Sequence, residues 1–179
     1  MPCWTRQRLR DLAAVRFVLV GSGQRSAALA EAVAARSLTN VMLPGRYQPE
    51  QMPAILAQAQ ALLVSLVDNP AMALTVPSKV QSYLAAGKPV IAALHGEGAR
   101  VVDEARAGIA CAADDGAALA AAVRHLHAMG DAERAAMGQA GRRYHDAHYA
   151  SAHLTPLLVA HLQDAVDLHR HRRGAGRRQ

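Results

Sequence analysis

The chain has 179 residues, 51 % of them apolar and 3 % aromatic, and a formal net charge of +6. That length and composition allow one domain with a buried core, and no apolar run approaches the roughly 20 residues of a membrane span. The two cysteines, Cys3 and Cys111, stand too far apart in sequence for a disulfide framework or a zinc spacing, so a reducing compartment is expected. In chain order, residues 1–16 are a basic segment with a weak helical pattern at Leu9, Leu12, Ala13 and Arg16. Its start lacks the apolar core of a secretory signal. Phe17–Val20 reads as a buried strand running into the turn Gly21-Ser-Gly23. A helix follows, with Ala28, Leu29, Ala32, Val33 and Ala35 as its apolar positions. Asn40–Leu43 is a second strand, Pro44–Pro49 a loop punctuated by prolines and a glycine, and Glu50–Gln60 a helix with Met52, Ile55, Leu56 and Ala59 on one side. Ala61–Val67 is a third strand, broken by Asp68-Asn-Pro70.

The stretch Thr75–Leu94 carries the most information. Thr75 is expected to cap a helix whose first turn holds Pro77, and Val80, Tyr83 and Leu84 form its apolar stripe. Gly87 sits where a helix end takes a left-handed residue, and Pro89 prevents the helix from resuming. Val90–Leu94 is then an apolar strand, as expected where both faces of a parallel sheet are covered. After the loop His95–Gly98, a helix over Ala99–Ala107 is expected to be capped by Gly108, with Glu97 as an anion near its start. Ile109–Ala112 is a fifth strand. Helices follow from Asp114-Asp-Gly116 to Met129, from Gly130-Asp131 to His148, and from Ser151 to Arg170. The tail 174–179 is expected to be disordered.

Strands alternating with helices, with no two-residue hairpin between them, predict a Rossmann-like α/β fold. A parallel sheet of about five strands carries flanking helices and extra carboxy-terminal helices. The expected organisation is a single domain over 17–150, a helix over 151–173 and a basic tail. In such sheets ligands bind at the carboxyl ends of the strands. Lys79 lies there, in the first turn of a helix whose dipole is already positive, and no acidic residue lies between Pro70 and Glu97. A lysine beside free helical N–H groups suits a phosphate. The competing reading is a side chain extended into solvent.

Four stretches, taken in order, resemble the carboxy-terminal, donor-binding half of a retaining group-1 glycosyltransferase of the GT-B fold. They are Phe17-Val-Leu-Val-Gly-Ser-Gly23, Asn40-Val-Met-Leu-Pro-Gly-Arg-Tyr-Gln-Pro-Glu-Gln-Met-Pro53, Val76-Pro-Ser-Lys-Val-Gln-Ser-Tyr-Leu-Ala-Ala-Gly-Lys-Pro-Val-Ile-Ala92, and Gly96-Glu-Gly-Ala-Arg100 continuing to Glu104-Ala-Arg-Ala-Gly108. The subfamily they are most similar to is the WbuB-like one of bacterial exopolysaccharide and O-antigen synthesis. The resemblance implies transfer of a sugar from a nucleotide-diphosphate sugar, a UDP-sugar by preference, with no further cofactor and no metal. It places the diphosphate against Pro77, Ser78 and Lys79, and the base and ribose near Gly45, Arg46, Tyr47 and Ser82. Gly21, Ser22 and Gly23 would line the cleft. Where many such enzymes carry two glutamates eight apart, this sequence has Leu74 and Ser82. Complete enzymes of this kind also have an amino-terminal acceptor half, so the chain is expected to be the donor half alone, inactive in transfer by itself. No catalytic residue is assigned.

The alternative is a non-catalytic interaction module, or a truncated remnant lacking the acceptor domain. Expected partners are therefore the nucleotide sugar, a protein supplying the acceptor half, or a second copy of the chain. Arg170, Arg172, Arg173, Arg177 and Arg178 add a route to an anionic membrane surface. The run has no interleaved aromatics, so a solvated tail is favoured and no specific nucleic-acid partner is expected. A cytoplasmic location, at the inner membrane face if the tail engages it, follows. Gly21-Ser-Gly23 lacks the third glycine of a dinucleotide fingerprint. The nine histidines, His145 and His148 among them, read as surface residues rather than metal ligands.

Overall fold

The computed structural model describes residues 14–175. The expected helix around Leu9–Arg16 falls mostly outside them, as do tail residues 176–179. Five parallel strands appear: β1 (Phe17–Val20), β2 (Val41–Gly45), β3 (Leu62–Ser65), β4 (Val90–Ala93) and β5 (Gly108–Cys111). The five expected strands pair as two ladders, β1-β2 and β3-β4-β5. In the second, Leu62 pairs with Val90 and Val90 with Gly108 without interruption. In the first, the register shifts between Val18 and Val20.

The second ladder holds the core. β4 is buried at every position, and the pleat sends alternate side chains to opposite faces. Val90 and Ala92 join Val64, Val80, Leu84, Val101 and Val102 on one face, while Ile91 and Ala93 join Leu119, Ala122, Val123 and Leu126 on the other. The first face is covered by α4 (Ser78–Ala85) and α5 (Glu97–Glu104), the second by α6 (Gly116–Ala128). Val80 and Leu84, one turn apart on α4, are 0 % exposed; burial of side chains this size contributes about 1.5–3 kcal/mol each. Asp115 caps α6, its carboxylate accepting from the N–H groups of Ala117 and Ala118 at 2.8 and 3.0 Å.

α7 (Asp131–His148) lies against the end of α4 through two glycines. A Cβ on Gly138 would stand 2.2 Å from the Gly87 carbonyl oxygen, and one on Gly141 would stand 2.9 Å from the Ala107 Cβ. Gly87 takes the expected left-handed conformation, φ +65°. Gly108 does not cap α5. It opens β5, where a Cβ would lie 1.7 Å from the Val90 carbonyl oxygen, and the left-handed residue after α5 is Arg106, φ +50°.

The amino-terminal elements are packed differently. α1 (Ser26–Ala35) and α2 (Met52–Gln58) contain no buried residue. A short 3-10 turn over Pro49–Gln51 precedes α2, so the expected helix Glu50–Gln60 is divided and shorter. At the other end α8 (Ser151–Ala175) runs past the expected end of the last helix at Arg170. Its Leu154, Leu157, Leu158, Val159, Leu162, Val166 and Leu168 are all exposed. No helix among the described residues is long and apolar enough to cross a membrane.

Candidate functional site

Within each ladder the strands run the same way, so the carboxyl ends of β1 and β2, and those of β3, β4 and β5, each lie at one edge, and the loops that leave these edges form the candidate rim. The first part of that rim comes from β1 and β2. Gly21 (φ +135°) and Gly45 (φ +85°) follow or end these strands in conformations that side chains rarely take. The Gly21 N–H donates to the Gly45 carbonyl at 2.8 Å, which ties the two turns together. The Gly23 N–H donates to Ser26 Oγ at 2.8 Å and so sets the start of α1. Ser22, Arg46 and Tyr47 are exposed, and the space around Gly21, Gly23 and Gly45 is open.

The second part is built around the start of α4. Pro77, not Thr75, occupies the cap position, with extended backbone and no side-chain cap. Thr75 instead closes the turn before it: its hydroxyl donates to the Met72 carbonyl at 2.9 Å. The reason lies in a short helix the sequence reading lacks, α3 (Pro70–Ala73), which Asn69 caps by accepting from the Ala71 N–H at 2.8 Å. Ser78 and Lys79 are exposed in the first turn of α4, and Lys79 makes no ion pair among the described residues. An uncapped helix start with an unpaired lysine is an electropositive site with unused N–H donors. Ser82 is also exposed, but its hydroxyl donates back to the Ser78 carbonyl at 3.0 Å. No hydrogen bond links these residues to the two glycine turns among the described residues.

Several residues hold this second part of the rim in place. Gly96 (φ +74°) lies so close to α3 that a Cβ would be 2.0 Å from the Ala73 carbonyl oxygen. A Cβ on Gly98 would sit 3.0 Å from Pro77 Cδ, so the starts of α4 and α5 adjoin. The Ala113 N–H donates to His95 Nε2 at 3.2 Å, and the Asp68 N–H donates to Asp114 Oδ2 at 2.9 Å. These bonds tie the loops after β3, β4 and β5 to one another. Asn69-Pro70 is a legible helix-start signal. His95 and Asp114 carry none, because their bonds cross 18 and 46 residues.

Behind the rim, Arg100 bonds both Glu97 and Glu104, and the Tyr144 hydroxyl donates to Glu104 at 3.1 Å. The hydrogen bond from Arg100 holds the carboxyl groups of Glu97 and Glu104 below the usual range. Burial raises the phenol of Tyr144, and the Glu104 carboxylate adds to the effect. Glu97 thus stands in the first turn of α5, as expected, as a paired anion. Asp146 is also depressed, first by His145 and then by Arg142.

The chain belongs to the group 1 glycosyl transferases, whose family model matches residues 4–129. Its architecture is that of one half of a GT-B glycosyltransferase. A sucrose-phosphate synthase from Thermosynechococcus elongatus superposes with a TM-score of 0.77 at 18 % identity, over 92 % of this chain and 42 % of that one. A glycosyltransferase from Rickettsia africae gives 0.70 at 15 % identity, over 89 % and 42 %. HepE from Anabaena, in complex with UDP-glucose, gives 0.71 at 16 % identity, over 92 % and 46 %. The chain therefore spans less than half the length of these structures. A search of curated proteins finds no match to it.

Proposed function

We propose that this chain is the donor-nucleotide-binding half of a group-1 sugar transferase, one that moves a sugar from a UDP-sugar in the synthesis of a bacterial polysaccharide, in the manner of the WbuB-like subfamily. The observation that carries the reading is the uncapped start of α4, with Ser78 and the unpaired Lys79 at the carboxyl edge of a parallel sheet. In this reading the diphosphate lies against Pro77, Ser78 and Lys79. Base and ribose lie by Gly45, Arg46, Tyr47 and Ser82, and Gly21–Gly23 line the cleft. The structural neighbour that holds UDP-glucose supports a uridine donor. Helix-end N–H groups and the lysine supply charge-assisted bonds to the diphosphate, which also stabilise a departing nucleoside diphosphate. Transfer requires the acceptor half.

The test is a thermal-shift and calorimetric titration with UDP, GDP, ADP and their sugars, repeated on Lys79→Ala. Stabilisation that grows with UDP is expected. The variant is expected to lose about tenfold in affinity or more, as befits a hydrogen bond to a charged group worth ~1.5–3 kcal/mol. Equal affinity in variant and parent would remove the assigned phosphate site.

A second reading, a non-catalytic interaction module, is favoured by the exposed aliphatic side chains of α8. A monodisperse monomer at high concentration, measured by light scattering, would count against it.

A further inference from the structure

Among the described residues nothing before Leu62 is buried: every core side chain lies between Leu62 and Leu126. The β1–α1–β2–α2 segment has a ladder of its own, with no strand pairing to β3, β4 or β5. Val18 and Met42, opposite one another in that ladder, are 53 % and 49 % exposed, so one of its faces is open. Phe17 within it, and Val15 and Ala61 beside it, pack against the α6 face of the core. Segments with few buried contacts and exposed backbone bonds are the first to open.

The proposed ligand contacts divide along the same line. Gly21–Gly23 and Gly45–Tyr47 belong to the amino-terminal segment, whereas Pro77–Ser82 belong to the core. We propose that residues 17–58 form a separately opening unit which a nucleoside diphosphate clamps to the core. This rests on the site assignment above. A ligand seated on the core through its diphosphate and on the amino-terminal unit through its base binds the closed form and loses half its contacts when the unit opens. Opening is then suppressed by a factor of up to 1 + [L]/Kd, at most about 100-fold at a hundredfold excess over Kd, reduced by whatever affinity the open form keeps. The ligand serves as the cross-ladder link that the strands do not provide.

Hydrogen exchange read by mass spectrometry on the whole chain, with and without UDP and with calorimetry on the same sample, tests this. Without ligand, amides of β1, α1, β2 and α2 are expected to show protection factors at least tenfold lower than those of β3, β4 and α6. At UDP a hundredfold above Kd, the first set gains up to about 100-fold and the second changes little. Equal protection of the two sets in the free chain overturns the proposal whatever the ligand does. Heat of UDP binding without added protection in 17–58 also overturns it, and leaves the donor-site reading standing. No heat with UDP, GDP or ADP overturns both.

Discussion

Val18 and Val64 hold comparable places, each inside a short parallel strand, yet Val18 is 53 % exposed and Val64 2 %. The difference is in what covers the ladder. β3 and β4 have helices on both faces, whereas α1, beside β1 and β2, has no fully buried residue. Parallel pairing alone does not make a core; the covering helices do. A site that uses loops of both regions inherits a stiff side and a soft side.

The largest expected effect that separates them is core truncation. Leu84→Ala, at a position 0 % exposed, should lower unfolding free energy by about 2–5 kcal/mol in denaturant titration. Leu29→Ala in the half-exposed face of α1 should cost less than about 1 kcal/mol. Similar losses would break the comparison. Gly138→Ala comes next: the added methyl meets the Gly87 backbone, and overpacking of that kind costs about 1–3 kcal/mol. Asp115→Ala removes the double cap of α6 and should cost about 1 kcal/mol. It sharpens the contrast because α1 has no side-chain cap.

The smallest effect is in the pH dependence. The carboxyl groups of Glu97 and Glu104 are depressed in the folded chain. Their contribution is complete above the unfolded glutamate range, near ~4.3, and is lost as pH falls through their lower folded values. Thermal midpoints should therefore fall below about pH 4.3, and Arg100→Ala should flatten that slope. Both groups are exposed, so the change is small. An unchanged slope in the variant would show that this cluster does not govern acid stability.

The strand and helix series was legible because each element carries a local pattern: the apolar run Val90–Ala93, the stripe Val80–Leu84, the Gly87-Lys-Pro89 stop. The ordered motifs also led to the family. What escaped was long-range or competitive. Thr75 has the chemistry of a cap, but α3 claimed its hydroxyl first. Gly108 looks like a helix stop, but the demand for glycine comes from the Val90 backbone across the sheet. Gly138 and Gly141 carry no local signal; only the approach of α7 to Gly87, Leu84 and Ala107 gives them a reason. The split into two ladders was not read from the sequence, although Pro44 and Gly45 set β2 apart from the unbroken apolar run of β4.

The helix start at Lys79 has its far end pinned. α4 is eight residues, about 12 Å long, and the Ala85 carbonyl accepts from Arg142 Nη1 at 3.0 Å. Just beyond, Gly87 abuts the backbone of α7 with no side chain between them. A pull on Ser78 or Lys79 therefore meets a short strut braced at its base. It cannot slide along its axis without dragging α7, and Val80 and Leu84, both 0 % exposed, hold its flank against the sheet.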